Sequence, residues 1–318
     1  MKASAPSQTQ PSIHPATRLG HVHLVVANLG QQITFYETLT GFTLHWREGS
    51  GAGLGAGGED LLRLTEQPDA PRPRRTTGLY HYAVLLPHRR DLARAIARLF
   101  SGDYPNYPTD HVMTETTYLS DPEGNGIEIY VDTPEDGTWG VADGTFAVWD
   151  RNGVRRSGRD PLDLGELMRH LPAGDALDVP VPQETKIGHV HLHVANIAEA
   201  VRFYHEVLGF DVQTSMPATG AAFVSAGGYH HHIGLNTWVG EGAPPPPPGA
   251  LGLRSFTVVL PHRAELDRLI DQVRGAGIAV EQTPQGVLVR DPSQNGLILS
   301  TEAEQQRHPD MAAAKTAP

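Results

Sequence analysis

The chain has 318 residues, with 25 Lys and Arg against 36 Asp and Glu, for a formal net charge of −11. That balance argues against a nucleic-acid or anionic-membrane partner. The absence of cysteine excludes disulfides, thiolate metal sites and cysteine nucleophiles. The start, Met1 to Pro6, lacks the apolar core of a signal peptide, and no run reaches membrane-spanning length, so a cytoplasmic protein is expected. Histidine is the unusual residue, with 17 copies, several of them clustered.

Residues 1–17 are polar and read as a flexible tail. Residues 20–26 (GHVHLVV) form a strand with His21 and His23 on one face, and a helix follows through Ile33, Phe35, Tyr36 and Leu39. Two strands, 43–48 and 59–64, flank a glycine-rich loop, and the Pro/Arg-rich stretch 66–77 reads as a linker. The segment GLYHYAVLL (78–86) makes the next strand, and 89–100 an amphipathic helix. Two more strands lie within 107–132. In the last, the turn residues Pro122 to Gly126 lead into Ile127, Ile129 and Val131 on one face and Glu128 and Tyr130 on the other. Residues 133–185 form a connector of mixed composition with a helix near 161–171.

The pattern then repeats. Residues 188–210 match 20–42, 252–262 match 78–88, and 291–299 (DPSQNGLIL) match 121–129 (DPEGNGIEI), which indicates a duplication. The expected fold class is α+β, with four βαβββ units forming two tandem domains with curved mixed sheets. The domains span 18–132 and 186–301, followed by a disordered tail at 302–318.

The GHVHL strand, the FY…GF helix end and the DPEGNGIEIY strand, in this order, resemble the vicinal oxygen chelate superfamily of glyoxalases, bleomycin-resistance proteins and extradiol dioxygenases. The phrases Gly78-Leu79-Tyr80-His81, Asp110-His111 and Gly227 to His232 resemble the two-domain catechol 2,3-dioxygenases most. That resemblance implies a metal held by a first-strand histidine of one unit and a His and Glu of its partner. The second unit supplies His81 and Glu128; the fourth has Ser255 and Ile298 at those positions and is degenerate. The remaining ligand is His189 or His21, at equivalent places in the third and first units, and His189 is favoured because His191 and His193 share its strand face. A 2-His-1-carboxylate set suits Fe(II), and Mn(II) also fits it.

By the same resemblance, His232, then His231, is the acid–base residue, and Tyr118, ten residues before Glu128, is the active-site tyrosine. Asp110, His111, His191 and His21 are second-shell residues or alternative ligands. The expected partners are a small aromatic diol and dioxygen, with neither nucleic acid nor membrane, and homo-oligomerisation is compatible. Two readings compete: a glyoxalase-type isomerase or lyase, which would need a fourth protein ligand where 233–238 offers no carboxylate, and a metal-free binding protein, which would lack the ligand set.

Overall fold

The computed structural model describes residues 12–142 and 145–305, so positions 1–11 and 306–318 of the expected tails lie outside the described residues. The first unit comprises β1 (Arg18–Val26), α1 (Leu29–Phe35), β2 (Thr43–Glu48), β3 (Gly51–Gly55) and β4 (Asp60–Glu66). The second comprises β5 (Gly78–Leu85), α2 (Arg89–Ser101), β6 (Tyr107–Asp110), β7 (Thr114–Ser120) and β8 (Gly126–Asp132). The connector carries β9 (Gly137–Ala142), β10 (Thr145–Asp150), β11 (Arg155–Arg156), β12 (Asp160–Pro161) and α3 (Leu164–Met168). The third unit holds β13 (Lys186–His193), α4 (Ile197–Val201), β14 (Asp211–Met216), β15 (Ala221–Ser225) and β16 (Ile233–Asn236). The fourth holds β17 (Gly252–Leu260), α5 (Arg263–Gly275), β18 (Glu281–Thr283), β19 (Gly286–Arg290) and β20 (Gly296–Thr301), with α6 (Glu302–Gln305) behind it.

The repeated motifs have local physical causes. Asn28 and Asn196 cap α1 and α4, their Oδ1 atoms accepting from Gln31 N at 2.9 Å and Glu199 N at 3.0 Å. Both helices run on into a wide π-type turn, Tyr36–Thr40 and Arg202–Val207. The tyrosine in each turn then reaches the next unit. Tyr36 donates to Asp121 at 3.1 Å, and Tyr204 to Asp291 at 3.2 Å. Each aspartate in turn accepts two backbone N–H groups of its Asp-Pro turn. The FY and DP motifs therefore join consecutive units.

The sheets join non-consecutive ones. A nine-stranded sheet runs β12-β6-β7-β8-β5-β13-β16-β15-β14, built from the second and third units, and an eight-stranded sheet runs β18-β19-β20-β17-β1-β4-β3-β2, built from the fourth and first. At each centre two first strands lie antiparallel, β5 with β13 and β1 with β17. Helices α2 and α4 pack on the nine-stranded sheet, and α1 and α5 on the eight-stranded one. No helix among the described residues is long and apolar enough to cross a membrane.

Several local expectations are corrected. The glycine-rich segment after residue 48 is itself strand β3, because the Trp46 indole lies over Gly53, where a Cβ would meet Trp46 Nε1 at 2.2 Å. Region 107–132 supplies three strands rather than two. Residues 12–17 are anchored: Ile13 is buried, and its N–H donates to Gly209 O at 2.9 Å. Beyond the second domain, 302–305 form α6.

Gly126 opens β8 two residues before Glu128, and a Cβ there would stand 2.1 Å from Tyr80 O, a backbone atom that cannot swing aside. Gly126→Ala is expected to destabilise the chain by about 2 kcal/mol, read as a lower urea midpoint; an unchanged midpoint would show that the strands part freely there.

Candidate metal centre

The register of three adjacent strands assembles the site. Strand β5 runs parallel to β8, setting Ala83 beside Glu128, and antiparallel to β13, setting Ala83 beside His189 and His81 beside His191. Laterally paired residues share a sheet face, and so do residues two apart on a strand. Glu128, His189 and His81 therefore point the same way, grouped around the small Ala83. Ala83, Leu85 and Tyr130 form an apolar cluster separate from the main core, as expected for a face turned into a polar cleft.

Glu128 Oε2 lies 3.0 Å from His189 Nε2 and 3.2 Å from His81 Nε2, and the two Nε2 atoms are 3.4 Å apart. All three residues are buried, none more than 6% exposed. Ligands in adjacent positions around an octahedral ion, with bonds of ~2.1 Å, stand about 3.0 Å apart, so these separations fit a divalent cation held on one face. The electrostatics agree. Burial opposes ionisation of Glu128, but the two histidines outweigh it and hold its carboxyl well below the usual range. Burial lowers His189 against the pull of Glu128. An ionised carboxylate beside neutral imidazole is the protonation state a metal needs.

The other expected residues fall out as follows. Tyr118 pairs with Glu128 across β7 and β8, and its hydroxyl lies 2.8 Å from His111 Nε2. Burial and then the Glu128 charge raise the Tyr118 phenol well above its ordinary value, so it stays protonated. Asp110 turns into its loop and accepts from Val112 N at 2.6 Å. His191 sits edge-on to His81, with ring centroids 5.1 Å apart, and its Nε2 is buried without a hydrogen-bond partner. His231 stands against His189, centroids 4.2 Å apart, and with His230 and His189 forms a second group able to gather around an ion. His232 is held aside, its Nδ1 accepting from Ala226 N at 3.2 Å and bonded to Ser225 Oγ at 2.9 Å.

His21 is on the other sheet. Its Nδ1 meets Gln305 Oε1 at 3.0 Å. Strand pairing puts Ser255 beside His23 and Ile298 beside Thr257, so that face has no carboxylate at the place of Glu128. Polar side chains close it instead: Asp60 accepts from His45, Trp46 and Arg63 at 2.8–3.0 Å.

Some residues around the cleft are not singled out as site residues by the motifs. Tyr80 (41% exposed) and Trp238 (42%) meet edge to face at its rim, and the Arg159 guanidinium lies 5.9 Å above the Trp238 ring. Gly234, opposite His191, leaves room for that imidazole, since a Cβ would meet its ring at 2.9 Å. Behind His189, Tyr130 and Tyr229 share a 2.6 Å hydrogen bond, and Tyr229 donates to Asp132.

A family model for the Glyoxalase/Bleomycin resistance protein/Dioxygenase superfamily matches residues 18–129 and 186–297. The chain belongs to this superfamily. It is 43% identical over 284 residues to the catechol-2,3-dioxygenase of Bacillus subtilis (strain 168), covering 88% of this chain and 96% of that protein, and is thus a catechol-2,3-dioxygenase-like enzyme. Its fold is similar to glyoxalase I from Zea mays (TM-score 0.53, 15% identity, 91% of this chain and 94% of that one). It is also similar to a Bacillus subtilis chain provisionally assigned as a dioxygenase (TM-score 0.62, 13% identity, 92% and 86%). Both halves of this superfamily member thus carry the fold, and one of its two sheets gathers the donor set.

Two outcomes are expected. Ala83→Leu would push a branched side chain between Glu128 and His189. It should lower metal content after dialysis at least tenfold while the far-ultraviolet circular dichroism is kept; full metal retention would contradict the placement of the donors around Ala83. Burial raises Asp132 to about 6 against the Tyr229 hydrogen bond. A raised carboxyl favours the folded state while protonated, so this contribution is lost as pH rises toward 6 and the cost persists above it. Asp132→Asn should then stabilise the protein at pH 7 by about 1 kcal/mol, after allowance for partial exposure, with the gain gone near pH 4 in denaturant titrations.

Proposed function

We propose that the chain is a metal-dependent extradiol dioxygenase that opens the ring of a catechol and inserts both atoms of dioxygen. The observation that carries this reading is the convergence of His81, Glu128 and His189 beneath an aromatic-rimmed cleft. The 43% identity to a catechol-2,3-dioxygenase supports it. Fe(II), or Mn(II), held by these three would supply the redox chemistry between diol and dioxygen.

The protein's own side chains then have defined tasks. Tyr80, Trp238 and His191 form the walls against which a flat ring stacks. The protonated Tyr118 hydroxyl, oriented by His111, donates a hydrogen bond to a diol oxygen. Burial, then the neighbouring His189, keeps His231 neutral, so its free ring nitrogen takes a proton from the substrate and returns it later. We assign this role to His231 ahead of His232, whose Nδ1 is engaged; His232, neutral with its proton on Nε2, supports the loop that carries His231. The glyoxalase-type alternative loses support, because the position matching Glu128 on β16 is Gly234, with no carboxylate. The site is complete within one chain, and a reducing cytoplasm would keep Fe(II) available to it.

The test is anaerobic Fe(II) reconstitution followed by catechol and air, watching for the yellow semialdehyde. His189→Ala and Glu128→Ala should lose bound metal and at least 100-fold in rate, and His21→Ala should keep both. His231→Ala should keep its metal but lose rate, and His232→Ala should lose less. No colour from an Fe(II)-loaded parent with several catechols would sink the dioxygenase reading, and bound aromatic without bound metal would favour a binding protein.

A further inference from the structure

Where the two sheets meet, at the ends of β5 and β13 next to the metal cleft, the linkers between units cross. Thr77 N donates to Pro244 O and Leu251 N to Pro71 O, each at 3.0 Å, so the two linkers clasp each other through their backbones. Beneath them lies a cleft of about 500 Å³, a volume suited to a small metabolite. None of His81, Glu128 and His189 lines it.

Its charge is opposite to that of the molecule. Four guanidinium groups line it, from Arg72, Arg75, Arg254 and Arg290, against one carboxylate, Glu123, leaving +3 (4 − 1) in a chain of −11. Glu123 is already engaged by the N–H groups of Ala27 and Asn28 and by Arg72. Arg75 and Arg254 make no hydrogen bond or ion pair through their side chains among the described residues, and Arg290 donates only to Gln294 O, at 3.3 Å. Arg89, by contrast, pairs with Glu115, Glu135 and Asp136.

A second observation points to the same place. Among the described residues four non-glycine residues have a left-handed backbone, and two of them line this cleft: Gln294 (φ 67°), which the Asp-Pro turn requires as it does Gly124 in the other half, and Arg75 (φ 56°), which no such repeated turn explains. The left-handed conformation of Arg75 costs about 1 kcal/mol and holds its side chain at the cleft.

We propose that this cleft is a binding site for a small organic anion of two or more negative charges, presenting phosphate or carboxylate oxygens to the guanidinium forks. Planar guanidinium matches both oxyanions in two-point contacts.

Calorimetric titration of the full chain at fixed ionic strength, with glycerol 2-phosphate and with succinate as probes, tests this. Saturable binding of at least one probe is expected, weakened at least tenfold in the Arg254→Gln/Arg290→Gln variant with an unchanged thermal midpoint. A preference for glycerol 2-phosphate would assign a phosphorylated ligand, and for succinate a polycarboxylate. If the Gln variant melts early, Arg254→Lys/Arg290→Lys decides, because it keeps the charge without the fork and should bind at least threefold more weakly. No saturable heat from either probe, or equal binding in the variants, would overturn the proposal.

Discussion

The antiparallel seam between β5 and β13 is the constraint on which the candidate metal centre rests. It joins strands from different repeats, and its register sets His189 beside Ala83, with Glu128 on the far side. A buried carboxylate is costly unless matched by positive charge. The seam delivers two imidazoles to within 3.2 Å of Glu128, which offset that cost. Small changes at the seam matter more than changes in the helices, because a one-residue slip would turn every ligand to the opposite face.

The second seam, β1 with β17, repeats the backbone geometry without the chemistry. Ser255 and Ile298 remove two donors there, and the Asp60–Arg63–Trp46–His45 cluster fills the matching space. A duplicated scaffold thus holds one centre open and one closed. The Tyr36–Asp121 and Tyr204–Asp291 bonds are present in both halves, as befits motifs whose work is structural.

Much of this was legible in the sequence because it is written in local periods. Alternation placed His189, His191 and His193 on one strand face, and the repeated DP turn marked the strand carrying Glu128. The choice between His21 and His189 could not be made from local pattern, since both strands read alike; the neighbours in the sheet decide which histidine meets Glu128. Strand β3 was hidden because its glycines answer to Trp46, a contact across strands. His231 and His232 are adjacent in a run without periodicity, so only their contacts separate them: His232 is bonded to Ser225 and Ala226, while His231 stands against His189. The arginine cleft draws its residues from both linkers and from β17 and β19, and no window of sequence contains it.

The order in which units pair has a consequence for how the chain comes into being. The second and third units pair with each other, and the first and fourth close around them, like nested parentheses. A chain emerging from its N-terminus can complete the nine-stranded sheet once β16 has been made. Strand β1 must wait for β17, more than two hundred residues later, with its pairing edge unsatisfied. Long-range pairing of this kind is slow. Newly made protein therefore passes through a stage in which the ligand-bearing sheet is assembled while the first unit still lacks its partner, and that waiting edge is where a folding helper, or a neighbouring chain, would first take hold.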